Sequence, residues 1–140
     1  MNIETLFVEH DSLNALLDAA LKCANAGDAD AFLSLRTDIA EALARYLALE
    51  AKAIEQTRRR PLPSETAAAV ADLAEQTAAL VTLWQEYLEE WDREAIQSDR
   101  VCFQSSTAAL IQRLRKRSRQ AVDLLCPVAV RTGALRLRVA

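Results

Sequence analysis

The sequence predicts an all-α fold, an up-down-up-down antiparallel four-helix bundle. Three observations carry that expectation. The 140 residues amount to one domain's worth of chain, since larger chains split. Glycine occurs only twice and proline three times, whereas strand-and-turn folds place those residues at every hairpin and corner. Hydrophobic residues make up 51% and charged residues 26%, enough apolar surface for a core, and they recur at helical spacing in four segments, 3–25, 29–59, 64–96 and 99–126.

In the first segment Ile3, Leu6, Phe7, Leu13, Leu17 and Leu21 fall on one stripe, with the i, i+3, i+4, i+7 spacing of an amphipathic helix. Ala26-Gly27-Asp28 then reads as a C-terminal glycine followed by a capping aspartate. The second segment carries Phe32, Leu35, Ile39, Leu43 and Ile54 and stops at Arg60-Pro61-Leu62-Pro63-Ser64, where a serine is in place to cap the next helix. Val70, Leu73, Leu80, Leu83, Trp84, Tyr87 and Trp91 define the third. A weaker break at Gln97-Ser98-Asp99 offers Ser98 or Asp99 as cap for the fourth, whose stripe is Phe103, Thr107, Leu110, Leu114, Ala121 and Leu125. Pro127 is expected to end it, which sets a bundle at 1–127 and a tail at 128–140. The short links force neighbouring helices antiparallel.

The informative residues lie on these stripes without being apolar. His10 stands between Phe7 and Leu13, Tyr46 and Glu50 between Leu43 and Ile54, Gln76 between Leu73 and Leu80, and Arg117 between Leu114 and Ala121. A buried charge costs several kcal/mol unless paired or metal-bound, so a polar side chain on every stripe asks for one explanation. His10, Tyr46, Glu50, Gln76 and Arg117 are therefore expected to form a polar cluster in the core.

The placement resembles the hemerythrin-like, HHE-type cation-binding family, whose patterns extend over nearly the whole chain. Val8-Glu9-His10-Asp11-Ser12-Leu13 is similar to that family's first ligand motif. Tyr46 through Glu50, followed by Ile54 and Pro61, matches its second HxxxE with tyrosine for histidine. Glu75-Gln76 stands where the third helix would supply a histidine. Counting back from Leu124-Leu125-Cys126-Pro127 puts Arg117 and Ala121 in the places of the last HxxxE. The resemblance implies an up-down bundle built for a non-haem di-iron centre. Of the ligands it implies, His10 and Glu50 remain.

One imidazole and one carboxylate are too few for two bridged irons, and an arginine, permanently cationic, cannot ligate. Three readings stay open. The guanidinium of Arg117 replaces the cation and pairs with Glu50, with Tyr46, Gln76 and His10 completing the hydrogen bonds. Alternatively, the register slips by one, Arg117 reaches solvent along its stem and His10 is an ordinary interior histidine. In the third, a reduced site at His10 and Glu50 still binds iron, as a sensor or carrier of a diatomic gas would. A second resemblance, of Glu41 through Ile54 to the EALxxxxxLExKxI stretch of the regulator-of-sigma-D family of helical anti-sigma proteins, covers one helix and implies a regulator.

The formal charge of −3 and pI near 5.2 argue against a nucleic-acid partner. No stretch is apolar enough to span a membrane, and the first residues carry acids where a signal peptide needs positive charge, so a cytoplasmic location is expected. Cys23, Cys102 and Cys126 form no CxxC pair and read as small core or groove residues. The serines lack a neighbouring histidine base, and phosphate-loop and HExxH patterns are absent, so no enzymatic activity is expected. Charge is nonetheless uneven: Glu86, Glu89, Glu90, Asp92, Glu94 and Asp99 crowd one stretch, while Arg58, Arg59 and Arg60 close the second helix and Arg113, Arg115, Lys116 and Arg119 follow later. The basic groups are expected at one pole of the bundle and the acids at the other. They suit either a solvated face favoured by the helix dipole or an acidic protein partner. The tail alternates Leu135, Leu137 and Val139 with Arg136 and Arg138, a pattern for docking against a protein surface. The expectation is thus a non-enzymatic binding or regulatory module without a resident cofactor, of open oligomeric state.

Overall fold

The computed structural model describes residues 3–132, so tail residues 133–140 lie outside the described residues. The described chain is helical throughout, with no strand: α1 Ile3–Ala26, α2 Ala29–Arg58, α3 Ser64–Glu90, α4 Arg93–Ser98 and α5 Arg100–Thr132. Helix α1 packs along α2 and α5, α3 packs along the same two helices, and the short α4 bridges α2 and α5. None of the described helices is long and apolar enough to cross a membrane.

Each helix buries residues at alternating steps of three and four. On α1 these are Leu6, His10, Leu13, Leu17, Ala20 and Ala24; on α2 they include Ile39, Leu43, Tyr46, Glu50, Ala53 and Thr57. On α3 they are Val70, Leu73, Leu80, Trp84, Tyr87 and, just past its end, Trp91, and on α5 they include Phe103, Thr107, Leu110, Leu114, Arg117 and Ala121. Such spacing turns a narrow seam of α1 and α3 inward, while on α5 Ile111, Ser118, Val122, Leu125, Cys126 and Val128 widen the buried face. Phe7, which the wider stripe includes, lies outside the seam and is 40% exposed. Leu21 is half-buried.

The turns follow the local chemistry. Gly27 takes φ +72°, and its N–H and that of Asp28 donate to Ala24 O and Cys23 O at 3.2 and 3.1 Å, closing α1 with the left-handed residue that only glycine adopts cheaply. The Asp28 side chain accepts from Ala31 N at 3.1 Å and starts α2. Gln104 of α5 donates to Ala24 O at 3.1 Å, satisfying another carbonyl of the α1 end.

Three sequence expectations are corrected, and at the last break one of the two caps offered is the one used. The third helix does not run to residue 96 but stops at Glu90. Asp92 is extended and caps α4 through Ala95 N at 2.8 Å, while Arg36 donates to the freed Trp91 O at 2.6 Å. The break lets the Trp91 ring lie edge-on to Phe103, centroids 5.6 Å apart. Ser64 is not a cap: α3 starts behind extended Pro63 without a side-chain cap. At the last break Asp99 accepts from Cys102 N at 3.1 Å, whereas Ser98 Oγ bonds back to Glu94 O. Pro127 does not end α5, which continues to Thr132. Its ring is on the exposed side while Val128 is buried, so the missing N–H removes one hydrogen bond of the final turns and no packing.

Candidate functional site

The polar residues on the inner seams meet at one level of the molecule. Glu50 of α2 is 1% exposed and the Arg117 side chain of α5 is 7% exposed. The guanidinium faces the carboxylate end-on, Nη2 to Oε1 at 2.7 Å and Nη1 to Oε2 at 3.3 Å. Nη2 also donates to Leu73 O at 2.8 Å and to Thr77 Oγ1 at 3.2 Å, both on α3. One fork thus joins three helices through charge-assisted bonds, which are roughly twice as strong as neutral ones. Arg117 does not reach solvent along its stem.

Tyr46 lies one turn before Glu50, 1% exposed, and its hydroxyl donates to Ser118 O of α5 at 3.3 Å. Burial first, then the adjacent negative charge of Glu50, push the phenol far above its ordinary value; Arg117 pulls it the other way. Tyr46 is therefore a neutral donor. His10 is buried and stands against Tyr46, ring centroids 5.9 Å apart. Its ring nitrogens have Asn14 Nδ2 as neighbour, 3.3 Å from Nε2, and that amide also donates to the His10 carbonyl at 2.8 Å. The histidine thus touches the cluster by ring contact and does not complete the hydrogen bonds of the ion pair.

Gln76 is the residue that sequence reasoning misplaced. It is exposed on α3, and the next residue, Thr77, faces Arg117 instead. The 3-4 spacing carried the signal: Leu73 plus four is 77, and 77 plus three is Leu80. Ser118 and the Leu73 carbonyl were also missed, since backbone acceptors leave no trace in side-chain identity. Among the described residues no group of three or more His, Cys, Asp or Glu side chains stands close enough to hold a metal ion, and both oxygens of Glu50 are engaged by Arg117.

The basic residues do not form one pole. Because α5 runs to Thr132, Arg113 through Arg119 fall near its middle, at the level of Glu50; Arg58 lies eight residues further along α2, about 12 Å at 1.5 Å per residue. Arg59 pairs with Glu55, Arg115 with Asp18 and Arg119 with Asp123. Arg60 has an interaction of its own. Arg58, Arg113 and Lys116 are exposed and have no partner among the described residues. Of the acids, Asp92 and Asp99 are engaged as caps. Cys102 is exposed rather than in the core or a groove, because it follows the Asp99 cap on the outer side of α5; Cys23 is half-buried and Cys126 buried. A hydrogen bond from the Cys102 thiol to Asp99, and that carboxylate's charge, raise its pKa.

In comparisons with known proteins, the chain matches no family model, no curated protein and no solved structure.

Proposed function

We propose that this protein is a non-enzymatic, hemerythrin-like up-down-up-down bundle in which an arginine has taken the place of the metal, and that it acts in the cytoplasm as a binding or regulatory module for an acidic protein. The observation that carries the reading is the buried Glu50–Arg117 fork, bound at 2.7 and 3.3 Å in the middle of the packed helices. A guanidinium there supplies the positive charge that the carboxylate needs and leaves no coordination position open. Packing of α1 and α3 on the same two helices, the 3-4 seams and the contact of Gln104 with the far end of α1 support the antiparallel arrangement. With the interior closed by its own charges, recognition falls to the surface, where Arg58, Arg113 and Lys116, exposed and without a partner among the described residues, supply positive charge.

The test is cross-linking in the native cytosol with the wild-type chain and with Arg58→Glu/Arg113→Glu/Lys116→Glu, both verified as folded by circular dichroism. Wild type is expected to capture an acidic protein at a defined ratio, and the triple variant to lose it. Capture that charge reversal leaves intact, or no captured protein at all, refutes the acidic-partner reading.

A further inference from the structure

We propose a binding site for a small aliphatic carboxylate in the cleft between α3 and α5, at a place distinct from the buried ion pair's own contacts. The cleft encloses about 370 Å³, within the roughly 300–1,000 Å³ of ligand pockets. Its floor is aliphatic: Ala79, Leu80 and Leu83 of α3. Arg113 and Lys116 stand on its α5 side, three residues apart and therefore on one face of the helix. Neither has an acidic partner among the described residues. Gln76 and Gln120 add amides at the rim.

Arg117 supplies the second, independent observation. It also lines this cleft, its side chain is 7% exposed, and its Nε–H has no acceptor although both terminal nitrogens are engaged. That nitrogen is sealed from solvent, so it adds buried positive charge behind the cleft rather than a direct contact for a ligand. The lining contains no acid. By contrast, Glu55 lines the cleft between α2 and α3, and Asp28 and Asp30 line the one beside Gly27. An anion entering either of those meets carboxylates as well as arginines, Arg58 and Arg59 in the first and Arg100 in the second; between α3 and α5 it meets Arg113 and Lys116, without an acidic partner among the described residues, beside aliphatic side chains. That combination selects a molecule with a carboxylate at one end and a short hydrocarbon body. The site shares Arg113 and Lys116 with the surface proposed for an acidic protein, but its occupant is a small molecule that binds the isolated chain, so failure of one reading is distinguishable from failure of the other.

Octanoate is the probe, with acetate, 1-octanol and inorganic phosphate as comparisons, measured by titration calorimetry on the full chain and by amide shifts in NMR. Octanoate is expected to saturate one site per chain, with shifts centred on residues 76–83 and 113–120, and to bind at least about tenfold more tightly than each comparison. Arg113→Ala/Lys116→Ala, which removes two exposed side chains, is expected to weaken octanoate about tenfold or more without changing the circular dichroism. Absence of saturable binding, equal affinity for acetate or octanol, shifts centred elsewhere, or an unchanged affinity in the double variant each overturns the proposal.

Discussion

Removing the Glu50 side chain strands a guanidinium, and the size of that effect follows from its surroundings. In Glu50→Ala, Arg117 loses both carboxylate bonds, while the acceptors left to it are neutral, Leu73 O and Thr77 Oγ1. Breaking one side of a buried pair costs roughly 3–5 kcal/mol. For a domain of this length, ~2.1 cal/mol/K per residue makes each kcal/mol worth about 3 °C, so the midpoint should fall by about 10–15 °C. Glu50→Leu/Arg117→Met removes both charges at similar volume. It orphans no acceptor on α3, because Thr77 Oγ1 donates to Leu73 O at 3.2 Å independently of the arginine, and Tyr46 keeps Ser118 O. The double variant is therefore expected within about 1 kcal/mol of wild type. Urea unfolding followed by circular dichroism and by tryptophan fluorescence measures all three proteins. A Glu50→Ala variant within about 1 kcal/mol of wild type, or a double variant no more stable than the single, refutes the argument that the pair is desolvated and mutually dependent.

The two tyrosines supply a pH prediction. Burial raises both, Tyr87 to about 12 and Tyr46 further. The unfolded chain then releases its phenol protons first, so the stability is fully present below the unfolded value of about 10 and is lost as pH rises through the folded values, by up to ~1.4 kcal/mol per unit and tyrosine. Native protein at about pH 11 should show little phenolate absorbance, and Tyr46→Phe should reduce the alkaline loss of stability in urea titrations by about one proton; full phenolate absorbance without unfolding contradicts this. Elemental analysis of protein from iron-supplemented cells should return well under one iron per chain, since Arg117 occupies the carboxylate a metal needs; two irons per chain with oxo-bridge absorption would overturn it. Compared with truncation after Thr132, truncation after Pro127 also deletes buried Val128 and should cost at least about 1.5–3 kcal/mol more in the same assay; equal stabilities of the two truncated chains show that the last turn of α5 contributes nothing.

Helix existence was legible because periodicity reports burial directly, and burial decides most of a helix. What was not legible were the two places where a local preference yields to a distant contact. The Trp91-Asp92 break stays hidden in sequence because Trp91 continues the periodic stripe; only the carbonyl bond from Arg36, 55 residues away, and the seat against Phe103 make interruption favourable. Pro127 misleads in the opposite direction. A proline is a strong stop signal, yet Val128 behind it has a buried position to fill, and one lost hydrogen bond does not outweigh that burial.

The polar cluster shows how far a pattern extends before chemistry takes over. Positions 10, 46, 50 and 117 all fall on the 3-4 seams, so their inward direction follows from geometry alone; that Glu50 and Arg117 pair follows from charge, since neither survives burial by itself. The pairing also determines what α3 has to supply. A guanidinium whose fork is filled by a carboxylate still has N–H groups to satisfy, and it needs acceptors, not another donor. A hydroxyl and a backbone carbonyl from one turn of α3 meet that need in the space between Leu73 and Thr77. Helical spacing decides which residue meets it: Thr77 is four residues past Leu73 and three before Leu80, so it faces inward and Gln76 turns to the rim of the α3–α5 cleft. The same accounting leaves the Nε–H of Arg117 unmatched among the described residues, buried beneath the cleft where Arg113 and Lys116 collect positive charge.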